Sequence, residues 1–192
     1  MKTDIILAGV GGQGILTIAA AIGFASLYEK KYVKQAEVHG MSQRGGAVQS
    51  HLRISDLPIA SDLIPLGKAD LILSVEPMES LRYLPFLSQQ GWVITNSVPF
   101  INIDDYPSIL QIEEQVKILP HSVWINADKL AKDCQSPKSS NIVMLGAAAG
   151  YLGLSLDSLK TGIEKIFSRK GKEVVDANIR AFEIGRNFRA EN

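Results

Sequence analysis

Cysteine is almost absent from this sequence, and its scarcity limits the chemistry of the chain. Cys134 is the single cysteine among 192 residues. One thiol cannot form an internal disulfide, an all-cysteine zinc site or the thiolate cage of an iron–sulfur cluster. If the protein takes part in cluster-based redox chemistry, another chain must hold the cluster.

Excess charge of either sign and long apolar runs are lacking as well. The 20 Lys and Arg residues balance the 20 Asp and Glu residues. A neutral chain has no global field to attract nucleic acid or an anionic membrane, so we expect neither as a partner. No apolar run approaches the ~18 residues of a transmembrane helix, and the amino-terminal residues do not form a signal-peptide pattern. The sequence therefore predicts a cytoplasmic protein.

The order of the apolar segments predicts the fold. Residues 5–8 form an apolar run that ends in glycines, as in a strand buried on both faces of a parallel sheet, and residues 15–28 read as a largely buried helix. Further strands are predicted near residues 32–38, 47–54, 71–75, 92–95 and 122–126. This alternation predicts one α/β domain over residues 1–192, with an open, mostly parallel Rossmann-like sheet, helices on both faces and a helical C-terminal region.

The last third of the sequence is predicted to be helical. Asn141 is expected to cap a helix of small residues that runs to about residue 152, and Ser155 to cap the helix after it. A third amphipathic helix is predicted over residues 174–188. Gly146 and Gly150 lie in the first of these helices and would let another backbone approach closely, which favours a packing role.

A glycine-rich turn separates the first predicted strand from the first predicted helix. Gly9, Gly11 and Gly14 have the G-x-G-x-x-G spacing. The first glycine permits a tight turn, the second lets the backbone approach a phosphate, and the third lets helix and strand pack closely. Free amides at the helix amino end add donors for an anion. The spacing predicts phosphate or pyrophosphate recognition, although a turn without a ligand needs glycine too.

A dinucleotide-binding unit would place an acidic residue about 20 residues after this turn to hold a ribose. Glu37 is the nearest candidate, but it comes late and a polar loop follows it instead of a helix. One alternative function is therefore a stand-alone oxidoreductase that binds NAD or a flavin.

The polar segment from Glu37 to Gly46 concentrates carboxylate, imidazole, amide and guanidinium groups. Arg44 and Arg53 would supply guanidinium forks for a phosphate or carboxylate, and Gly45 would help the backbone to turn beside it. A second alternative is thus a nonenzymatic module that binds an anion such as coenzyme A. A solvated loop explains the same residues more simply.

Three stretches together resemble a known family. They are Gly-Val-Gly-Gly-Gln-Gly at 9–14, Glu-Val-His-Gly-Met-Ser-Gln-Arg-Gly-Gly at 37–46, and Ser-His-Leu-Arg at 50–53. They are similar to the gamma-type subunit or domain of the 2-oxoacid:ferredoxin oxidoreductases, and within that family most similar to the small (beta) subunits specific for indolepyruvate. The resemblance spans nearly the whole chain in length and layout.

The resemblance implies that the chain is part of an enzyme. Members of the family oxidatively decarboxylate a 2-oxoacid, pass electrons through iron–sulfur clusters to ferredoxin, and release an acyl-CoA. Thiamine diphosphate, magnesium and the clusters are then expected on a larger catalytic subunit, and ferredoxin is reached through the complex. This chain is expected to hold no cofactor tightly, although coenzyme A is a candidate ligand. The expected substrate is an aryl pyruvate such as indolepyruvate.

By residue match, the resemblance assigns two signatures as candidate cofactor-binding segments. The first comprises Gly9, Gly11, Gly12, Gln13 and Gly14, and the second comprises His39, Ser42, Gln43, Arg44, Gly45 and Gly46; Arg53 is added as the cation on the following strand. The match leaves open whether either signature binds coenzyme A or packs against the partner. No catalytic residue or metal ligand is predicted, and Glu76 and Glu79 are interpreted as solvated charges.

Overall fold

One mixed β-sheet organises the chain in the computed structural model, which describes residues 1–40, 45–101 and 103–188. The strands are β1 (Lys2–Val10), β2 (Tyr32–His39), β3 (Ala47–Ser55), β4 (Ala69–Ser74), β5 (Leu87–Asn96) and β6 (Ser122–Ile125). The helices are α1 (Ile15–Tyr28), α2 (Pro77–Arg82), α3 (Ile109–Lys117), α4 (Ala127–Asp133), α5 (Ser140–Ala148), α6 (Leu156–Phe167) and α7 (Lys172–Asn187). Short 3-10 segments follow α2, α5 and α6 at Leu84–Phe86, Ala149–Tyr151 and Ser168–Lys170.

The strand order is β2-β3-β1-β4-β5-β6. Strands β1, β4, β5 and β6 pair in parallel, whereas β3 runs antiparallel to both of its neighbours. The prediction of a mostly parallel α/β sheet is confirmed. The position of β3 was not predicted: it lies between β1 and β2 and moves β2 to the edge of the sheet.

Alternate residues of the central strands serve two different cores. Ile5 and Leu7 of β1 pack with α1 and with helices α4 to α7. Ile6, between them, packs on the other face with Ile72 and with the 3-10 segment that contains Phe86. This alternation is what a strand buried on both faces requires. The predicted helices on both faces are therefore confirmed.

The start of the C-terminal helical region differs in one detail from the prediction. Helix α6 begins as expected, because the Ser155 side chain accepts a hydrogen bond from the amide of Ser158. Helix α5, however, has Ser139 at its N-cap position and ends at Ala148. Asn141 is thus not the cap; it lies in the first turn, and its side-chain amide donates to the carbonyl oxygen of Gly14 at 3.2 Å.

Helices α5 and α7 approach each other closely through two glycines. A Cβ atom placed on Gly146 would lie 2.1 Å from the carbonyl oxygen of Phe182, and one on Gly185 would lie 2.0 Å from that of Val143. No side chain fits at either position without separating the helices. The predicted packing role is confirmed for Gly146, whereas a Cβ atom on Gly150 would meet open space.

Candidate functional site

The glycine turn lies at the carboxyl end of β1, where ligands bind in open α/β sheets. Gly14 adopts a left-handed conformation with φ of 83° and stands at the N-cap of α1, which has no side-chain cap. Its carbonyl oxygen accepts from the amides of Thr17 and Ile18. Within the described residues, the amides of Gly12, Gly14, Ile15 and Leu16 have no acceptor.

A depression of about 290 Å³ opens over this turn. It is lined by Val10, Gly11, Gly12, Gly14, Ile15, Leu16 and Val48. None of these residues has a polar side chain, and the lining includes the amino end of α1, where the helix dipole adds partial positive charge. Such a depression suits an anionic group held by neutral donors.

The side chain of Gln13 fixes the shape of the turn. Its Oε1 atom accepts from the amide of Val10 at 2.7 Å, and its Nε2 atom donates to the carbonyl oxygen of Val75 at 3.4 Å. Gly9 is equally constrained, since a Cβ atom there would lie 2.4 Å from the Val75 side chain. These two residues of the first signature position the turn against the end of β4.

The two signatures meet at a backbone hydrogen bond. The amide of Gly11 donates to the carbonyl oxygen of Gly46 at 2.9 Å, and Gly45 turns the chain with φ of 79°. His39 is the last residue of β2 and pairs with Val48. The candidates Ser42, Gln43 and Arg44 lie outside the described residues. The structure therefore brings Gly45 and Gly46 of the second signature to the glycine turn.

Arg53 does not join this site. Its Nε and terminal nitrogen atoms donate to the two carboxylate oxygens of Asp4 at 2.8 and 3.0 Å, and its other terminal nitrogen donates to the carbonyl oxygens of Ser61 and Leu63. Asp4 is fully buried. Along β3, Arg53 lies five residues from Val48, the partner of Gly9, which is about 17 Å. The expectation that Arg53 acts beside the turn is therefore corrected: it is committed to a buried ion pair.

The position of Glu37 bears on the dinucleotide alternative. Glu37 pairs with Ser50 of β3, which in turn pairs with Leu7 of β1. In a dinucleotide-binding fold the ribose-binding acid ends the strand next to β1. Because β3 takes that place here, the geometry does not favour NAD or flavin binding.

A polar depression of about 220 Å³ lies on the other side of the turn, and the sequence interpretation missed it. Its lining includes Gln13, Asn96, Asp128 and Asn141. The side-chain Nδ2 atom of Asn96 donates to the Asp128 carboxylate at 2.8 Å, and its side-chain Oδ1 atom accepts from the backbone amide of Ala127. The available signal was the position of Asn96 at the end of a parallel strand, where polar side chains gather at the same edge.

Glu76 and Glu79 are buried, so their interpretation as solvated charges is wrong. The Glu76 carboxylate accepts from the amide of Glu79 at 2.9 Å and from the hydroxyl of Tyr106. Burial raises the pKa of the Glu79 carboxyl. Burial, together with the hydrogen bond to Glu76, raises the pKa of the Tyr106 hydroxyl. Glu76 thus caps α2 and holds the connection after β5.

The described part of the chain has neither a cluster of metal-ligating side chains nor a helix that could span a membrane. Residues 1–40, 45–101 and 103–188 contain no group of three His, Cys, Asp or Glu side chains placed to hold a metal ion. No helix within the same ranges combines the length and the apolar character that crossing a bilayer requires.

The sheet, the glycine turn at its carboxyl edge and the helices on both faces define an α/β protein. A family profile described as pyruvate ferredoxin/flavodoxin oxidoreductase matches residues 4–188. The chain belongs to this family. The family resemblance seen in the three stretches 9–14, 37–46 and 50–53 is therefore confirmed.

Two relatives and one solved structure illustrate the similarity. Indolepyruvate oxidoreductase subunit IorB from Pyrococcus horikoshii is 38% identical, over 95% of this chain and 93% of the relative. The 2-oxoglutarate synthase subunit KorC from Methanocaldococcus jannaschii is 28% identical, over 96% of this chain and 92% of the relative. The structure of 2-oxoglutarate:ferredoxin oxidoreductase from Magnetococcus marinus superimposes with a TM-score of 0.76 at 21% identity, covering 96% of this chain and 30% of that longer chain.

These matches confirm the predicted functional class. Both relatives are named as subunits, and this chain matches each of them over nearly its full length. The chain is a small subunit of a heteromeric 2-oxoacid:ferredoxin oxidoreductase. Other subunits of the complex are thereby implied.

Proposed function

We propose that this chain is the small subunit of an oxidoreductase that acts on indolepyruvate or a related aryl pyruvate. The observation that carries the substrate class is the difference in identity between relatives. The subunit named for indolepyruvate is 38% identical, whereas the subunit named for 2-oxoglutarate is 28% identical over a similar share of the chain.

The proposed division of labour places the redox machinery on a larger partner. That subunit holds thiamine diphosphate, magnesium and iron–sulfur clusters, and the complex passes electrons to ferredoxin in the cytoplasm. The single cysteine of this chain supports the assignment, because cluster ligation needs several thiolates. The small subunit contributes a gamma-type domain formed by residues 1–192.

The glycine turn is the proposed contact of this chain with coenzyme A. Coenzyme A supplies the thiol that accepts the acyl group, and its phosphates are the anions that backbone amides at a helix amino end hold. The amides of Gly12, Gly14, Ile15 and Leu16 are the proposed donors, in the depression beside Val48. Gly9, Gly11 and Gln13 would keep these donors in place.

The second signature completes the proposed site. Gly45 and Gly46 lie against the turn through the hydrogen bond that Gly11 donates. His39, Ser42, Gln43 and Arg44 precede them in the sequence and remain candidate contacts on the basis of the family resemblance. Arg53 is not part of the proposed site, because its guanidinium group donates two hydrogen bonds to the carboxylate of Asp4.

Reconstitution tests the proposed function. The chain is co-expressed with the larger subunit from its native host, and ferredoxin reduction is measured with coenzyme A and indolepyruvate, phenylpyruvate, pyruvate or 2-oxoglutarate. We expect activity only when both chains are present, and the highest kcat/KM for an aryl pyruvate. Full activity of the larger subunit alone, or a preference for pyruvate or 2-oxoglutarate, would contradict the proposal.

A further inference from the structure

Helix α1 has an outer face that carries no charge. The helix, Ile15–Tyr28, contains no Asp, Glu, Lys or Arg, and Ile18 and Ile22 bury its inner face in the core. Four large side chains form the outer face, here called the α1 face, with exposed fractions of 48, 41, 60 and 67%: Leu16, Phe24, Leu27 and Tyr28. A helix on the surface of a soluble protein ordinarily turns polar residues outward.

The exposed apolar residues of α3 are a useful contrast. Leu110 and Ile118 are 65 and 75% exposed at the two ends of that helix. Between them lie Glu113, Glu114 and Lys117, and Lys117 forms an ion pair with Glu113. Scattered apolar side chains among charges are normal on a protein surface. The α1 face differs because its side chains recur at helical spacing with no charge between them.

We propose that the α1 face is the docking surface for the larger catalytic subunit, which meets it with an uncharged, apolar surface; this rests on the proposed function. Charged residues are depleted at the centre of protein interfaces, and obligate interfaces are the most apolar. The contact lacks charge on this side, so an acidic or basic partner surface would lose its solvation without gaining an ion pair.

The area of the α1 face is too small to hold two copies of this chain together through that face alone. At roughly 200 Å² for a large side chain, the exposed fractions leave roughly 400 Å² of apolar surface. Two such faces pressed together would bury roughly 800 Å² in total, below the roughly 1,200 Å² of a stable specific interface. The relatives are named as subunits, so another subunit must bind this chain, and it reaches the required area by covering surface beside the α1 face as well.

The position of Leu16 shows which neighbouring surface is covered. Leu16 belongs to the α1 face and also lines the depression over the glycine turn, together with Gly12 and Val48. A subunit seated on the α1 face therefore borders that depression. Docking would reduce the access of water to the amides of Gly12 and Ile15.

A matched pair of leucine substitutions tests the docking surface. Leu27→Glu places a charge on the α1 face, and Leu110→Glu places the same charge on a leucine of α3 with similar exposure. Each full-length variant is titrated against the tagged larger subunit, and circular dichroism with thermal melting confirms that it is folded. We expect Leu27→Glu to weaken association at least tenfold and Leu110→Glu to change it less than twofold. Tyr28→Lys is a second variant, expected to behave as Leu27→Glu does.

Three results would overturn the inference. The first is wild-type affinity in both Leu27→Glu and Tyr28→Lys; the second is an equal loss in Leu110→Glu. The third is a dimer of the isolated wild-type chain in light scattering that Leu27→Glu dissociates while binding to the larger subunit is unchanged, since the face would then hold a second copy. If the wild-type chain does not associate with the larger subunit at all, the proposed function itself fails, which is a distinct outcome.

Discussion

The amide of Gly11 donates a hydrogen bond of 2.9 Å to the carbonyl oxygen of Gly46. This bond joins the turn after β1 to the residue that precedes β3, so the first signature contacts the last residue of the second. The contact exists because β3 runs antiparallel beside β1 and starts next to Val10. With β2 in that position, as in a dinucleotide-binding fold, Gly46 would not lie beside the turn.

Replacement of Gly14 by alanine tests the geometry of the turn. The residue has φ of 83°, and an added Cβ atom would lie 2.4 Å from the side-chain nitrogen of Asn141. We expect Gly14→Ala to lower the free energy of unfolding by about 2–3 kcal/mol, from left-handed strain and the lost hydrogen bond to Asn141. Urea denaturation measures the change.

Gly23→Ala is the control for this substitution. Gly23 lies inside α1, and a Cβ atom there would meet nothing within 4 Å. Alanine is the better helix former, so we expect a gain of about 0.5–1 kcal/mol. Equal effects of Gly14→Ala and Gly23→Ala would show that the turn is not strained.

Local patterns were sufficient to predict the segment from β1 through the turn to α1. An apolar run, three glycines and a long uncharged stretch each specify their structure within a few residues. The position of β3 was not predictable in this way, because strand order depends on pairing between segments far apart in the sequence. The alternation of apolar and polar residues in β3 predicted a strand, but it did not predict which strands would pair with it.

The candidate site was predictable only in part, for a similar reason. The spacing of Gly9, Gly11 and Gly14 was sufficient to predict the turn. The roles of Gln13 and Arg53 depend on partners that sequence does not place nearby: the Val75 carbonyl oxygen and the Asp4 carboxylate. Sequence alone does not show whether a polar side chain near a ligand-binding motif contacts the ligand or forms hydrogen bonds within the protein.

The close approach of α5 and α7 gives a second prediction. Gly146→Ala would force a methyl group against the Phe182 carbonyl oxygen, and both groups belong to rigid helices. We expect a loss of about 3 kcal/mol in the free energy of unfolding. Gly150→Ala, which adds a methyl group in open space, should change it by no more than about 0.5 kcal/mol. Similar losses in the two variants, measured by thermal and urea denaturation, would contradict this packing.

Arg53 is predicted to support stability and not ligand binding. Arg53→Ala would leave the fully buried Asp4 carboxylate with Lys2 as its remaining cation, at 2.7 Å. Breaking a buried pair from one side costs about 3–5 kcal/mol, and we expect a loss near 3 kcal/mol because Lys2 compensates in part. The dissociation constant for coenzyme A, measured by calorimetry on the folded variant, should stay within twofold of wild type. A large rise in that dissociation constant would show that Arg53 contributes to coenzyme A binding.

His51 predicts a pH dependence of stability. Its Nδ1 atom accepts from the amide of Ile64 at 3.0 Å, and its ring packs edge-on against Phe86. Burial and the nearby charge of Arg53 lower the pKa of His51 below its ordinary value of 6.5, with Asp62 opposing them. The unfolded chain therefore binds a proton that the folded chain does not, and stability falls as pH drops below about 6.5.

Comparison with His51→Gln isolates this effect from the other titrating groups. The free energy of unfolding is measured for both proteins between pH 8 and pH 5. We expect the wild type to lose more stability than the variant over the acidic part of that range. Parallel curves would show that the proton uptake of His51 is the same in the folded and unfolded chains.

Gly12 offers a direct test of anion binding by the turn. Its backbone has φ of 102°, and a Cβ atom there would point into open space beside the unoccupied amides. Gly12→Asp brings a negative charge to the place where the phosphate of coenzyme A is proposed to bind. Gly12→Asn has the same size and the same backbone strain but no charge, so the difference between the two variants reports electrostatic repulsion alone.

We expect the dissociation constant for coenzyme A to rise at least tenfold more in Gly12→Asp than in Gly12→Asn, which corresponds to about 1.4 kcal/mol. The difference should shrink between low salt and about 0.5 M salt, because the depression is open to solvent and its charges are screened. Equal affinities of the two variants at all salt concentrations would mean that no anionic group lies near Gly12. The turn would then serve packing against the partner, and the amides at the start of α1 would face that subunit instead of a ligand.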